Sequence, residues 1–150
     1  MIKKCLLFCF FLLQAVPATA LQDVTLYLQP AAAEETAITV WLAADESTRR
    51  TGLMHRTSLD GMAGMWFDFG EERAVSMWMK NTPMALDMVF VAADGTIRHL
   101  IRATEPFSLT PLPSLYPVRY VLEIPAGMAA HYHLQPGDRI RWDTSSPSSP

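Results

Sequence analysis

Apolar and polar positions alternate with a period of two along several short stretches of the chain. In Thr36–Leu42, Ile38, Val40 and Leu42 fall on one face, the signature of a half-buried strand. Val24–Leu28, Met65–Phe69, Val75–Met79, Leu86–Ala92, Thr96–Arg102, Val118–Ile124 and Ile140–Trp142 are strand-like on the same grounds. Asp94-Gly95 between two of these runs predicts a hairpin over Leu86–Arg102. Asp45 can cap a short helix over Glu46–Thr51, with Gly52 as its stop, and Pro125 introduces a second over Ala126–Leu134. Thr104–Pro117 carries four prolines and reads as a long surface loop. The pattern predicts a mainly β protein: a small closed barrel or sandwich of about eight short strands with two short helices.

The first twenty residues follow a different order. Lys3 and Lys4 precede the apolar run Cys5–Leu13, and Pro17 then leads to small residues at Ala18 and Ala20. Charged, apolar and small-residue regions in that order predict a secretory signal peptide cleaved after Ala20. A permanent span needs about 20 apolar residues, so this run is too short to remain as one. An uncleaved N-terminal anchor is the competing reading. The expectation is therefore a single domain over 21–143, placed outside the cytoplasm (periplasmic or secreted), with a disordered Ser/Pro-rich tail from Thr144.

Cleavage changes what the composition allows. Both cysteines lie in the signal, so the exported domain has no disulfide, thiol nucleophile or cysteine metal site. Loss of Lys3 and Lys4 leaves ten basic against fifteen acidic residues, a net charge of −5 with His neutral. That balance argues against nucleic acid, which rewards clustered Lys and Arg. Lys80 becomes the only lysine.

The densest chemistry runs from Gly52 to Asp87. It holds Gly52-Leu53-Met54-His55-Arg56, Gly64-Met65-Trp66-Phe67, Trp78-Met79-Lys80-Asn81-Thr82-Pro83 and Leu86-Asp87. Val121-Leu122-Glu123, Ala126-Gly127 and Pro136-Gly137-Asp138 follow. In this order the stretches resemble the bacterial and archaeal family called domain of unknown function 192, over roughly Thr36 to Trp142. His55 stands where that family more often has an aromatic residue, and Ala85 where proline often precedes the Leu-Asp pair. The resemblance implies a small β-rich domain, often exported or membrane-tethered; it supplies no catalytic residues and no cofactor.

Alternation within Val75–Lys80 puts Trp78 and Lys80 on one face and Val75, Met77 and Met79 on the other. An aromatic floor beside an ammonium, with Asn81 and Thr82 as neutral donors, can orient a small polar or anionic ligand. The plainer reading is a turn at Asn81-Thr82-Pro83 with Lys80 paired to Asp87 or Glu123. Arg56 can clamp a carboxylate, either a ligand's or that of Asp87 or Glu123. Asp87 interrupts an apolar strand and must find partners, for which Arg56, Lys80 and the Asn81–Thr82 amides are candidates.

Other chemistry is weaker. Met77-Trp78-Met79 invites a Cu(I) reading, but Met77 and Met79, two apart on a strand, stand about 7 Å apart; Met62 and Met65, flanking Ala63-Gly64, can chelate more easily, yet methionine is ordinary core filler. His131 and His133 on one helix would point roughly 200° apart and cannot share an ion. No Gly-x-Ser-x-Gly or His-Glu-x-x-His motif occurs. The apolar loop Thr104–Pro117 can serve as a lid, as a docking strip, or simply pack flat. Two functions remain: a non-enzymatic module binding a small ligand or envelope component through Arg56, Trp78, Lys80, Asn81, Thr82 and Asp87, or an enzyme using Lys80 or Asp87 as acid–base group.

Overall fold

A computed structural model describes residues 21–143. The expected signal peptide and Ser/Pro-rich tail lie outside the described residues. The elements run β1 (Gln22–Gln29), β2 (Thr36–Ala43), α1 (Glu46–Thr51), β3 (Met65–Arg73), β4 (Ser76–Met77), β5 (Leu86–Val91), β6 (Ile97–Ile101), β7 (Leu112–Pro113), β8 (Val118–Pro125), α2 (Met128–His131) and β9 (Arg139–Trp142). The mainly β expectation holds, with nine strands and two short helices among the described residues.

Seven strands form one sheet in the order β6-β5-β8-β3-β2-β1-β9. Among the described residues only β2 and β3 pair in parallel. A parallel pair needs a crossover, and residues 44–64, including α1, provide it. Asp45 caps α1 as expected: its side chain accepts from Thr48 N at 2.9 Å, and Thr48 Oγ1 returns the contact to Asp45 N. Asp94-Gly95 makes the predicted β5–β6 hairpin. That hairpin also curls the sheet toward closure. Gly95 has φ +87, and a Cβ there would lie 2.4 Å from Ile140 O, so only glycine fits. This approach lets Ile140 N donate to Gly95 O and Ile97 N to Asp138 O, both at 2.8 Å, joining β9 to the start of β6.

The curled sheet is buried on two faces. The enclosed core draws on all seven strands; Leu26, Leu28, Val40, Trp66, Tyr120, Leu122 and Ile140 belong to it, with Ala129 of α2 and Leu134 beyond it. Trp66 stacks on Tyr120 at 4.8 Å, and Trp142 closes edge-on to Tyr120 at 4.5 Å. The outer core covers only β2, β3, β5 and β8, where Met65, Phe67, Met88, Phe90 and Val121 pack against Leu53 of the crossover and Met79. Strands buried on both faces lose their alternation, which is why β5 and β8 read as nearly continuous apolar runs.

Two expected elements are shorter than predicted. Of Val75–Met79, only Ser76–Met77 is strand, and it pairs with Leu112–Pro113 rather than joining the main sheet. Prolines at 111 and 113 lack the N–H that a longer ladder needs. The Pro-rich segment is thus tied down: Ser114 N donates to Val75 O at 2.8 Å, and Val75 N to Ser114 Oγ at 3.2 Å. The helix expected over Ala126–Leu134 contracts to Met128–His131, bounded by Gly127 at φ +92 and His133 at φ +57.

Asp87 finds partners other than those expected. Its side chain points to the α2 side of the sheet and accepts from Ala103 N at 2.9 Å, Gly127 N at 2.9 Å and Ala129 N at 3.0 Å. Neither Arg56, Lys80 nor the Asn81–Thr82 turn reaches it. Asp87→Asn would turn an amide group toward some of these N–H donors. We expect it to cost about 3 kcal/mol, lowering Tm by roughly 10 °C in a thermal melt. A variant that melts at the parent's Tm would contradict the placement.

Candidate functional site

Met79 anchors the segment that carries Trp78 and Lys80. It is fully buried, its N donates to Ser108 O at 3.0 Å, and Thr104 Oγ1 lies 3.2 Å from its Sδ. Trp78 and Lys80 on either side point outward, Trp78 46 % exposed, with Lys80 Nζ 5.2 Å from the indole centroid. Their shared face is therefore real. Asn81 and Thr82 mainly build the turn that follows. Asn81 adopts φ +54, which asparagine tolerates, and its carbonyl accepts from His55 N at 2.7 Å. Thr82 is buried, donating Oγ1 to Lys80 O at 3.1 Å.

Beside this segment lies a pocket of about 440 Å³. Its walls are α1 (Glu46, Arg49, Arg50), the crossover (Leu53, Met54), β3 (Phe67, Phe69, Arg73) and the strip Ser76, Met77, Trp78, Lys80 and Thr82. Four cations thus line one cavity. Arg49 is committed, its Nη1 donating to Asp68 O at 2.8 Å and to Ala44 O, and Arg50 pairs with Glu46. Arg73 and Lys80 make no ion pair or side-chain hydrogen bond among the described residues; each lies over an aromatic ring, Arg73 at 5.2 Å from the Phe69 centroid.

Glu123 of β8 also lines the pocket. It is only 4 % exposed, flanked in register by Met65 and Met88. Its side chain has no hydrogen bond or ion pair among the described residues. Every fully occluded side-chain nitrogen or oxygen there does have a partner, so the Glu123 carboxyl must reach the pocket's solvent. Burial among apolar neighbours pushes its carboxyl up to about 8, because desolvation penalises the charged form. At neutral pH it holds a proton and can both donate and accept. Sequence reasoning treated Glu123 only as an ion-pair partner. Its signal was the lone charge inside the otherwise apolar run Tyr120–Ile124.

The predicted site residues are only partly assembled. Trp78, Lys80 and Thr82 line the pocket, with Asn81 at its turn. Asp87 lies across the sheet. Arg56 stacks 4.1 Å over Trp41, sits 3.8 Å from Asp60 and lines an adjoining cleft of about 410 Å³ that shares Thr51, Gly52 and Met54 with the pocket. Among the methionines of the copper reading, Met65 is sealed in the outer core, Met62 is half-buried against it and Met77 lines the pocket. No cluster of three His, Cys, Asp or Glu able to share an ion occurs among the described residues. No residue of the Pro-rich segment lines the pocket; the segment flanks it, exposing Phe107, Leu109, Leu115 and Tyr116.

The fold and site define a small, curled β domain with a cation-walled pocket over one face of its sheet. The chain belongs to the family of domain of unknown function 192, described as an uncharacterized ACR, whose model matches residues 28–142. A crystal structure from Sinorhizobium meliloti 1021, of a protein provisionally assigned as a transcription regulator, is similar at 43 % identity and a TM-score of 0.78. That match covers 81 % of this chain and 95 % of the other. A protein of unknown function from Novosphingobium aromaticivorans DSM 12444 is similar at 33 % identity and a TM-score of 0.77, covering 85 % and 90 %. No curated protein matches the chain.

Proposed function

We propose that the chain is exported by its N-terminal signal and acts outside the cytoplasm as a module that binds a small organic anion. One observation carries the binding reading: two unpaired cations, Arg73 and Lys80, share a 440 Å³ pocket with a buried, partnerless carboxyl. The two cations are exposed and free to meet an anion, while the buried Glu123 carboxyl is costly to hold without a partner and is satisfied when a ligand arrives. The volume lies within the roughly 300–1,000 Å³ that encloses small ligands. Export rests on the Lys-apolar-small order of residues 1–20, and N-terminal sequencing of the secreted chain should begin at Leu21.

The Sinorhizobium protein's provisional role in transcription does not carry over to this reading. A net negative domain whose longest helix among the described residues has six residues offers little to a DNA groove.

A panel of organic anions tested by thermal shift and calorimetry addresses the binding reading directly. A ligand at a hundred times its Kd stabilises the fold by about 2.7 kcal/mol. Lys80 is exposed, so Lys80→Ala should unfold as cooperatively as the parent while weakening binding about tenfold or more. Unchanged affinity in that variant would sink the pocket assignment.

An enzymatic reading draws support from Glu123, since a pocket carboxyl with a raised pKa suits acid–base work near neutral pH. Glu123, with Lys80 beside it in the wall, would then replace Asp87 as the acid–base candidate. Turnover with a pH profile that moves in Glu123→Gln would favour it.

A further inference from the structure

The geometry points to an acidic sugar as the ligand, a hexuronate either free or at the end of an acidic polysaccharide, and this assignment rests on the binding reading above. The pocket presents three kinds of surface, each suited to a different part of such a molecule. Arg73 and Lys80 supply unpaired positive charge in the wall for one carboxylate, and Arg73 brings the planar fork that grips it bidentately. The exposed indole of Trp78 offers flat apolar surface to the C–H face of a pyranose, whereas the Phe69 ring is already stacked by Arg49 and Arg73. The Glu123 carboxyl and the hydroxyls of Ser76 and Thr82 offer neutral hydrogen-bonding groups to sugar hydroxyls.

The groups around Glu123 sharpen the choice. The cations in the same pocket are Arg49 and Arg50 from α1, Arg73 from β3 and Lys80, with Glu46 as the other carboxylate. Burial alone accounts for the state of Glu123, so none of these cations holds it ionised. The lining therefore combines cations with neutral polar groups, and a ligand that carries both a carboxylate and hydroxyls engages both. An aliphatic acid would leave the Glu123 carboxyl buried without a partner. The N-terminus of α1 is capped by the Asp45 side chain and so adds no cradle of amides for a phosphate.

The test is calorimetry on the processed, secreted protein at pH 7. D-glucuronate and D-galacturonate are compared with glucose, the uronate methyl ester, acetate, inorganic phosphate, glutamate and a short oligogalacturonide. The expected result is uronate binding at least tenfold tighter than glucose, the methyl ester and acetate. Arg73→Ala and Glu123→Leu should each weaken it about tenfold with cooperative unfolding retained. Tighter binding of the oligouronide than of the monomer identifies a polymer as the source, and the reverse order identifies the free sugar. Uronate binding no tighter than that of glucose or acetate overturns the assignment. If phosphate or glutamate then binds in a Lys80-dependent way, the sugar assignment falls while the binding reading stands. If no anion binds, both fall.

Discussion

Glu123→Gln is expected to make the domain more stable than the parent at alkaline pH and to leave it nearly unchanged at pH 4. In the unfolded chain Glu123 titrates near its ordinary 4.5, whereas in the fold burial raises it to about 8. Below 4.5 both states carry the proton and the residue costs nothing electrostatically. Between the two values the unfolded state has lost its proton and the folded state has kept it. Stability therefore declines as pH rises through that window and levels off above about 8. Each pH unit is worth about 1.4 kcal/mol, so the full window amounts to roughly 5 kcal/mol at most. Glutamine keeps the shape and the neutral polarity without the titration. Urea denaturation of both proteins at pH 4, 6 and 9 would show the difference growing with pH, and parallel profiles would mean that the carboxyl is solvated and ionised. The same logic gives the residue its meaning: a group that lowers stability at neutral pH and above, where one amide would restore it, fits a binding role better than a structural one.

Gly64→Ala is expected to abolish the folded state. A Cβ at Gly64 would lie 2.0 Å from the Glu123 carbonyl oxygen and 2.9 Å from Ile124 Cγ2. The nearer atom is backbone and cannot swing away. Nor can Gly64 retreat, because its own carbonyl accepts from Trp41 N at 3.1 Å and the next residue, Met65, is in register with both Trp41 and Glu123. Separating β8 from the start of β3 would open both cores at once. A cost above about 4 kcal/mol follows, in the range where a domain of this size no longer folds. Gly61 serves as the control: a Cβ there meets nothing within 4 Å, though φ +90 makes alanine strained, so Gly61→Ala should lose only about 1 kcal/mol. Circular dichroism and limited proteolysis would separate the two, and a cooperatively melting Gly64→Ala protein would refute the packing argument.

Local rules were the ones that the sequence expressed. The alternation of Ile38, Val40 and Leu42, the Asp45–Thr48 cap and the Asp94-Gly95 turn each act within a few residues, and each appears where expected. Alternation also placed Trp78 and Lys80 on one exposed face, although the strand beneath them spans just Ser76–Met77. Family membership was readable because Trp78–Pro83 and Leu86-Asp87 keep their order and spacing. What could not be read is what depends on distant partners. Asp87 is satisfied by amides 16, 40 and 42 residues away, and nothing local distinguishes those from nearer donors. Glu123 stayed hidden for a different reason. On a strand covered on both faces every position looks like core, so the pattern cannot say which face opens into a cavity. The contraction of the second helix followed from the left-handed backbone at Gly127 and His133, for which the sequence offered only the glycine.

The pairing of β1 with β9 has a consequence for how the chain comes together. Leu26 is in register with Trp142, and Tyr27 bonds to Asp143 across 116 residues. The first strand to leave the ribosome thus waits for the last before its outer edge is covered. Closing so long a loop delays the payoff in contacts, which makes assembly slow and ties its completion to the finished chain. A polypeptide that stays open until its C-terminal strand is synthesised remains threadable in the meantime. The export proposed above would require a chain in that state.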